Sequence, residues 1–380
     1  MQILVFIHAF NAGGAQRRAI TLARAFQEAG HDVAMAVVDE TGELRHELPA
    51  GVKVHQLGSW FPHWLTGSKA RATRLLGAVP GLARLIRRKR PDILLAGANH
   101  ALLSCALAHR IAGDCADTQL VLRFSNTLSG DRKKRSLTRP LKIAWLRRLV
   151  ARAFALIAVS DDVARDVAKR LKIRRERLHV LPNPVIDVKF YKTCCQSPDH
   201  KWLQEKNVPV VLGVGRLHAQ KDFATLINAF AWLRTKQDAR LIVYGEGDER
   251  KHLQKIVAAS GHSDAIDFPG YHSRPWQEMA HSDVLVLSSC WEGMPGVLIE
   301  AMAAGCPVIS TDCPGGSREI LQDGQFGQLV PVGDAQAMAQ AIENVLAASP
   351  DTYALQNAAA HYDIKAATQA YLNLFNQCNR

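Results

Sequence analysis

Two carboxylates flank a short turn in the second half of this chain. Glu292 and Glu300 are eight residues apart, with a Gly-Met-Pro-Gly turn at 293–296 between them. Glycine permits unusual backbone angles and proline suits the first turn of a helix, so we expect Glu292 in a loop and Glu300 on the helix that follows. The first backbone N–H groups of a helix have no partner within it and attract anions. The spacing therefore predicts an anion site with one acid on either side.

Two cations are also predicted to bind an anion. Arg216 follows an apolar segment, residues 208–214, that predicts a strand, and Lys221 precedes the next helical pattern. Ligands of α/β sheets bind at the carboxyl ends of the strands. Either side chain alone would be an ordinary surface cation, but their joint position predicts that Arg216 and Lys221 converge on a diphosphate.

The two glutamates also admit other interpretations: a glycosidase acid pair, a metal site, or two unrelated surface positions. The sequence has no D-x-D triplet to hold Mg²⁺ or Mn²⁺ on a nucleotide sugar, and its eight cysteines form no C-x-x-C pair. Neighbouring cations and helix N–H groups favour a bound phosphate over attack by water. Carboxylates accept hydrogen bonds from pairs of sugar hydroxyls. We therefore predict hydroxyl-binding glutamates and no metal.

Two glycine-rich turns follow predicted strands. Gly13 and Gly14 lie between the first strand and a helix, where they form either a tight turn or a loop that lets the backbone approach a phosphate or sugar. The segment does not match the G-x-G-x-x-G pattern, which disfavours a nicotinamide enzyme. Residues 311–319 form a second turn, which is either a ligand loop or a plain connection.

Apolar runs alternate with helical patterns along the chain, which is typical of βαβ units and parallel sheets. Strands are predicted at 3–7, 33–38, 52–57, 93–96, 120–123 and 156–159, and then at 208–214, 241–244, 284–287, 307–310 and 328–330. Two prolines at 182–185 interrupt any regular element. The prediction is an α/β protein with two Rossmann-like domains, at 1–185 and 186–362, and a last helix within 363–380. Parallel sheets bind ligands at strand ends, so we expect the site in the cleft between the domains.

The composition is that of a soluble globular protein, with 48% apolar and 22% charged residues. No apolar run reaches the roughly eighteen residues of a membrane span, and the first ten residues lack a basic leader and a cleavage site. We expect a cytoplasmic protein whose cysteines are reduced.

Positive charge is concentrated in the first half of the chain. Residues 1–185 contain 31 basic and 14 acidic side chains, whereas 186–380 contain 16 and 21. Within the basic half, residues 131–152 hold nine basic side chains and one acidic one. Apolar residues recur there with a helical period, at Leu141, Trp145, Leu146, Leu149 and Val150. The segment is either a peripheral contact with an anionic membrane or a solvated helix packed on its own domain. No binding motif or interleaved aromatic residues accompany the charge, so no nucleic-acid partner is expected.

Taken in order, these motifs resemble those of the retaining GT-B glycosyltransferases of family 4, which include many bacterial polysaccharide and lipopolysaccharide enzymes. The resemblance spans nearly the whole chain and rests on the Gly13-Gly14 loop, Ile157-Ala-Val-Ser160, Asn183-Pro-Val185, Val214-Gly-Arg-Leu217 with Gln220-Lys-Asp-Phe223, Tyr244-Gly-Glu-Gly247, and Glu292 to Glu300 followed by Gly305-Cys-Pro-Val308. It implies two Rossmann-like domains facing a central cleft. The C-terminal domain would bind the nucleotide sugar and the N-terminal domain the acceptor, and the last helix, 364–377, would pack back on the first domain.

The resemblance also implies a role for each site residue. Arg216 and Lys221 would bind the donor diphosphate, Glu300 the ribose hydroxyls and Glu292 the transferred sugar. The turn around the sugar and phosphates would be formed by Gly293, Met294, Pro295, Gly296 and Val297, through its backbone N–H groups. The Gly13 and Gly14 loop would approach the donor, and His100 would lie near the donor sugar. Arg123 and Asn126 would form an R-x-x-N segment near the acceptor.

The function implied is transfer of a sugar with retention at the anomeric carbon, without a cofactor or metal. The donor would be a UDP-sugar, or second a GDP-sugar, and the acceptor a glycan or polyprenyl-linked glycan of a bacterial surface polysaccharide or lipopolysaccharide. Two alternatives are a nucleotide-sugar 2-epimerase of the same fold and a non-catalytic nucleotide-sugar-binding protein.

Overall fold

A computed structural model describes residues 1–11, 13–59, 67–113, 117–130 and 139–377. Residues 131–138 of the predicted basic segment lie outside this part of the chain, as do Cys115 and Cys378.

The chain folds into two compact units. Unit 1 comprises Met1–Pro184 and the C-terminal segment from Ile364, and unit 2 comprises Val185–Asp363. Strands and helices alternate along both units. The strands are β1 (Gln2–Ile7), β2 (Asp32–Val37), β3 (Lys53–Gln56), β4 (Ile93–Ala96), β5 (Gln119–Phe124), β6 (Ala155–Ala158), β7 (Leu178–Val180), β8 (Val210–Val214), β9 (Arg240–Tyr244), β10 (Ile266–Gly270), β11 (Val284–Leu287), β12 (Val308–Thr311) and β13 (Gln328–Val330).

Most of the helices lie between successive strands, and the last three follow β13. The helices are α1 (Gly14–Glu28), α2 (Gly67–Gly77), α3 (Val79–Lys89), α4 (Leu102–Ala112), α5 (Arg139–Val150), α6 (Asp161–Leu171), α7 (Val188–Cys194), α8 (Lys201–Gln204), α9 (Phe223–Arg234), α10 (Arg250–Ser260), α11 (Pro275–His281), α12 (Gly296–Ala303), α13 (Ser317–Ile320), α14 (Ala335–Ala347), α15 (Thr352–Ala360) and α16 (Ile364–Asn376).

Unit 1 is built on a seven-stranded sheet in the order β3-β2-β1-β4-β5-β6-β7. Neighbouring strands pair in parallel, for example Val5 with Met35 in β2 and with Leu95 in β4. These three side chains are buried in one apolar cluster with α1 residues such as Phe26. A sheet covered on both faces requires nearly continuous apolar strands, which is why the apolar runs predicted most of these strands.

The last helix, α16, belongs to unit 1. Tyr371 and Phe375 are buried in the unit 1 core, and the rings of both pack against that of Phe26, at centroid distances of 6.2 and 5.6 Å. Ile364, Thr368, Tyr371 and Phe375 recur at helical spacing along α16, and all four are buried. The hydroxyl of Tyr371 accepts a hydrogen bond from Arg123.

Unit 2 is built on a six-stranded parallel sheet in the order β10-β9-β8-β11-β12-β13. Its core includes Val211 of β8, Phe230 of α9, Ile309 of β12 and Met338 of α14, all of which are fully buried. The β-strand residues again come from short apolar runs, and α9 and α14 cover one face of the sheet.

Two strands were not predicted from the sequence, and both lie at sheet edges. β7 has only three residues, and β10 contains Asp267 and Pro269. Pairing of β10 with β9 shifts register between Asp267 and Gly270, as expected where proline removes a backbone donor. The edge strands β3 and β13 were predicted, so what apolar runs miss here is an edge strand that is very short, such as β7, or interrupted by polar residues and proline, such as β10.

Candidate functional site

The predicted donor residues lie at one point of the unit 2 sheet. β8 is central, β9 and β10 extend the sheet on one side of it, and β11 to β13 extend it on the other. The strand order therefore reverses between β8 and β11, and this is where open α/β sheets bind ligands. Arg216 and Lys221 follow β8, whereas Glu292 and Glu300 follow β11. The structure thus brings together residues more than seventy positions apart.

Lys221 and Glu292 form an ion pair at this reversal of strand order, which is called the switch point of unit 2. Lys221 Nζ lies 2.7 Å from Glu292 Oε1, and Glu292 is only 7% exposed. Ser289 Oγ donates to the same carboxylate oxygen, also at 2.7 Å. Two donors thus fix one oxygen of Glu292. Ser289 was not identified from the sequence, although its position three residues before Glu292 was a signal that could have found it.

Backbone and amide contacts join the two loops that carry this pair. Cys290 N donates to Gln220 O at 2.8 Å, and Gln220 Nε2 donates to Trp291 O at 2.7 Å. Ser288 Oγ donates to the backbone oxygen of Lys221 at 2.7 Å. These bonds hold the loops after β8 and β11 in a fixed relation, so the charges of the site are held in place before any ligand binds.

Arg216 is five positions before Lys221 in the sequence but takes no part in the ion pair. Its side chain is exposed, and within the described ranges it has neither an ion-pair partner nor a side-chain hydrogen bond. Gly215, the preceding residue, has φ +158°, and a Cβ there would come within 2.9 Å of Lys221 Cε. A glycine at 215 therefore leaves room for Lys221, while Arg216 offers an unpaired positive charge to solvent.

The helix after Glu292 begins without a side-chain cap. Pro295 precedes α12, and its ring carries no acceptor for the first N–H groups at Gly296 and Val297. Met294 and Gly293 are buried in the turn before it. Glu300 lies on α12 and is 8% exposed. The predicted loop-to-helix change between the two acids is present, and the amino end of α12 lies between them in sequence.

The second glycine-rich turn braces this loop. Glu292 N donates to Pro314 O at 2.9 Å, and Gly316 N donates to Gly293 O at 2.6 Å. Gly315 has φ +134°, and a Cβ there would lie 2.4 Å from Glu292 O. Burial, and after it the Glu292 carboxylate, raises the pKa of the neighbouring Cys313 thiol to about 12. The turn predicted at 311–319 is therefore a support for Glu292.

Unit 1 has its own switch point, between β1 and β4. The Gly13 and Gly14 turn follows β1, and Gly14 is exposed with no atom within 4 Å of its ideal Cβ position. His100 follows β4 in a short 3-10 turn, Asn99–Ala101. Its ring meets that of His8, at the end of β1, edge to face with a centroid distance of 6.4 Å. The structure therefore brings the predicted glycines and His100 to neighbouring strand ends and adds His8.

The R-x-x-N segment at the end of β5 divides between two environments. Asn126 is half-buried, and its side-chain oxygen accepts from Thr127 N at 2.8 Å. Arg123 is 0% exposed, and its guanidinium donates to Tyr371 Oη, Gly97 O and Asn183 Oδ1 at 3.0, 2.9 and 2.5 Å. The prediction that Arg123 contacts the acceptor is therefore corrected: this side chain has no exposed atom, and it ties β5 to α16 and to the end of unit 1.

One group of potential metal ligands occurs within the described ranges, away from the predicted donor residues in sequence. It comprises Asp199, His272 and Glu278, with ligand atoms within 4.8 Å of one another. Glu278 is fully buried and already accepts from Tyr244 Oη at 2.9 Å and from Asp199 N at 2.7 Å. Burial, then the charge of Glu278, raises the pKa of Tyr244. These bonds account for the group as a hydrogen-bonded cluster.

The described part of the basic segment is helix α5. Leu146, Leu149 and Val150 are buried, whereas Leu141 and Trp145 are exposed. Arg147 and Arg148 are exposed as well. The helix therefore packs on unit 1 and also presents apolar and basic side chains to solvent. Among the helices that the structure describes, none is both long and apolar enough to cross a membrane.

The architecture of two parallel-sheet α/β units defines a GT-B fold. The structure of HepE from Anabaena in complex with UDP-glucose matches 99% of this chain and 100% of that chain, with a TM-score of 0.82 and 22% identity. The model described as Glycosyltransferase Family 4 matches residues 12–188, and that described as Glycosyl transferases group 1 matches residues 198–362. The chain belongs to the glycosyltransferase families that these two models describe.

Two curated relatives match over shorter stretches. The N-acetylgalactosamine-N,N'-diacetylbacillosaminyl-diphospho-undecaprenol 4-alpha-N-acetylgalactosaminyltransferase of Campylobacter jejuni is 28% identical over 63% of this chain and 63% of its own length. The lipopolysaccharide core biosynthesis glycosyltransferase LpsE of Rhizobium meliloti is 34% identical over 44% of this chain and 50% of its own length. The aligned part thus spans less than two thirds of either relative.

Proposed function

We propose that the protein transfers a sugar, with retention at the anomeric carbon, from a nucleotide diphosphate donor to a glycan or polyprenyl-linked glycan. The observation that carries this proposal is the Lys221–Glu292 pair at the unit 2 switch point, with Arg216 exposed and without an ion-pair partner in the described part of the chain. Cations, an uncapped helix start and two buried carboxylates match the chemistry of a sugar diphosphate.

Lys221 can hold Glu292 and bind a phosphate of such a ligand at the same time. An ammonium group carries three N–H donors, and the contact with Glu292 Oε1 uses one of them. The others are available to a phosphate oxygen, and Arg216 can add a forked contact. Negative charge develops on the diphosphate as the glycosidic bond breaks. Cations that are already in place stabilise that charge as it forms, which lowers the barrier to transfer.

The two glutamates are proposed to bind hydroxyl groups of the donor. Glu292 would accept from the transferred sugar and Glu300 from the ribose, because carboxylates accept from paired hydroxyls. Unit 1 would bind the acceptor, whereas Gly13, Gly14 and His100 at its own switch point would keep the role predicted for them, toward the donor. No resident metal is proposed for this chemistry, since Arg216, Lys221 and helix N–H groups supply the positive charge.

The choice of donor and acceptor is supported by the relatives' names. UDP-glucose is bound in the HepE complex, so UDP is the first choice of nucleotide and GDP the second. One relative is named for transfer to a diphospho-undecaprenol substrate and another for lipopolysaccharide core biosynthesis. These names support a glycan acceptor of the bacterial surface.

Transfer is tested by measuring nucleotide release. Purified protein is incubated with UDP-glucose, UDP-galactose, UDP-N-acetylglucosamine, UDP-N-acetylgalactosamine or GDP-mannose, with and without detergent-extracted bacterial lipid-linked glycans. We expect one donor to release nucleotide when the extract is present, in EDTA as in buffer, and NMR of the product to show the donor's anomeric configuration. Conversion of the donor to its C2 epimer without an acceptor, with the nucleotide still attached, would support the epimerase instead, and inversion of configuration would contradict retention.

We propose in addition that α5 contacts an anionic membrane surface. Leu141 and Trp145 lie four positions apart on the exposed side of the helix, next to Arg147 and Arg148. Residues four apart share a helix face, and exposed apolar side chains flanked by cations suit the boundary of an anionic bilayer. A lipid-linked acceptor would be presented at such a surface.

The membrane contact is tested by flotation of the protein with lipid vesicles. We expect recovery with vesicles that contain phosphatidylglycerol, little recovery with phosphatidylcholine alone, and a clear loss in the W145S variant. Trp232 of α9 is equally exposed, at 48%, so W232S is the matched control and should float like the wild type. Equal recovery of wild type and W145S with both lipids would count against the proposal.

A further inference from the structure

We propose that Ser289 is a positioning residue that sets which oxygen of Glu292 faces the donor. The inference rests on the proposed function, because it assigns a purpose to the orientation of Glu292. Ser289 is fully buried and lies two residues after the end of β11. Its hydroxyl donates to Glu292 and is shielded from solvent, so its effect on transfer must pass through that carboxylate.

The hydrogen bonds of the carboxylate are divided unequally between its oxygens. Oε1 accepts from Lys221 Nζ and from Ser289 Oγ, both at 2.7 Å. Over the residues that the structure describes, Oε2 accepts no hydrogen bond from the protein, and it is not sealed from solvent. A carboxylate whose first oxygen has two fixed donors presents its second oxygen in one direction. Oε2 is therefore the atom that would accept from a sugar hydroxyl.

Ser289 is suited to this task because its own position is fixed. Thr311 Oγ1 donates to the backbone oxygen of Ser289 at 2.5 Å, which ties the residue to the end of the neighbouring strand β12. A buried serine has a short side chain with few rotamers, so its hydroxyl holds a defined direction. Lys221 alone is a weaker guide, since its ammonium group ends a flexible four-carbon chain and can follow the carboxylate as it turns.

Loss of the Ser289 hydroxyl should therefore slow transfer of the sugar and leave binding of the nucleotide unchanged. In S289A we expect kcat to fall about 10-fold, which corresponds to one hydrogen bond to a charged group. The KM for the donor should stay within about 3-fold, and the affinity for UDP alone should not change, because UDP has no transferred sugar. A merely structural role would lower the melting temperature and weaken UDP binding as well.

A double-mutant cycle with E292Q separates positioning from other effects. If Ser289 acts through Glu292, S289A should cost less than about 2-fold in kcat once the carboxylate is an amide, because the two effects are then not additive. S310A is the matched control, since Ser310 is also fully buried and its hydroxyl donates to a backbone oxygen, that of Thr311. S310A should keep the wild-type kcat.

The outcomes distinguish this inference from the proposed function. Wild-type protein that transfers no sugar would overturn the proposed function and the inference with it. Wild-type transfer with an unchanged kcat in S289A, or an equal loss from S289A in the wild-type and E292Q backgrounds, would overturn the role of Ser289 alone. A 10-fold loss that disappears in the E292Q background would establish it.

Discussion

Single residues of the proposed donor site could be named by type, and the pairing of Lys221 with Glu292 could not. Arg216, Lys221, Glu292 and Glu300 were identified because cations and acids stand at predicted strand ends and a helix start. The contact of Lys221 with Glu292 joins positions 71 residues apart, and it follows from the adjacency of β8 and β11, which no local pattern encodes. Arg123 shows the converse, because the resemblance placed it near the acceptor, while neutral acceptors distant in sequence hold its guanidinium inside unit 1.

Replacement of Gly315 should displace the backbone of Glu292. A Cβ at 315 would lie 2.4 Å from Glu292 O, in a residue with φ +134°. We expect G315A to lose about 2 kcal/mol or more of unfolding free energy, measured by urea denaturation, and to lose turnover. Gly333 also has positive φ, +78°, but no atom within 4 Å of its Cβ position, so G333A should cost only about 1 kcal/mol and keep turnover. Equal behaviour of the two variants would contradict the bracing role of the turn.

The cysteines should divide sharply in reactivity. Burial, with a further contribution from Asp283 at Cys306 and from Glu292 at Cys313, raises the pKa of both thiols from 9.0 to about 12. Thiolates are the reactive form, and they are scarce well below the pKa. At pH 8 we expect iodoacetamide to modify exposed Cys195 quickly and Cys306 and Cys313 only after unfolding, as read by peptide mass spectrometry. Rapid labelling of Cys313 in the folded protein would refute the packing around Glu292.

At the scale of elements, apolar runs located all the central strands and two of the four edge strands, β3 and β13. Eleven strands were predicted, and β7 and β10 were added by the structure. The central strands are buried on both faces and must be apolar, whereas β10 carries Asp267 and Pro269 at an edge where a ladder bond is dispensable. The face of α16 was predictable from its spacing, but the bond from Tyr371 to Arg123 required the fold.

The tie between α16 and β5 should be measurable in the stability of the protein. Y371F removes the acceptor of Arg123 Nε at 3.0 Å and leaves a buried donor without a partner. We expect a loss of about 1–3 kcal/mol in unfolding free energy. Tyr353 is 74% exposed, so Y353F should lie within about 0.5 kcal/mol of wild type. If Y371F were as stable as Y353F, Arg123 would not be the link we describe.

At the scale of the whole molecule, the repeated alternation of strand and helix predicted two parallel-sheet units, and the GT-B fold is confirmed. Each unit places its predicted ligand residues where its own strand order reverses, between β1 and β4 in unit 1 and between β8 and β11 in unit 2. The switch points follow from strand order, and the sequence contains no local record of that order. Donor and acceptor identity depend on loop shapes that residue types alone do not define, so they rest on experiment.

Calorimetric titration of UDP into wild type and R216Q tests the central claim most directly. Arg216 is exposed and has no ion-pair partner within the described ranges, so R216Q should melt at the wild-type temperature. Loss of a charge-assisted contact should weaken UDP binding about 10-fold or more. R110Q replaces another exposed arginine, in unit 1, and should bind UDP like wild type. An unchanged dissociation constant in R216Q would contradict a diphosphate site at the unit 2 switch point.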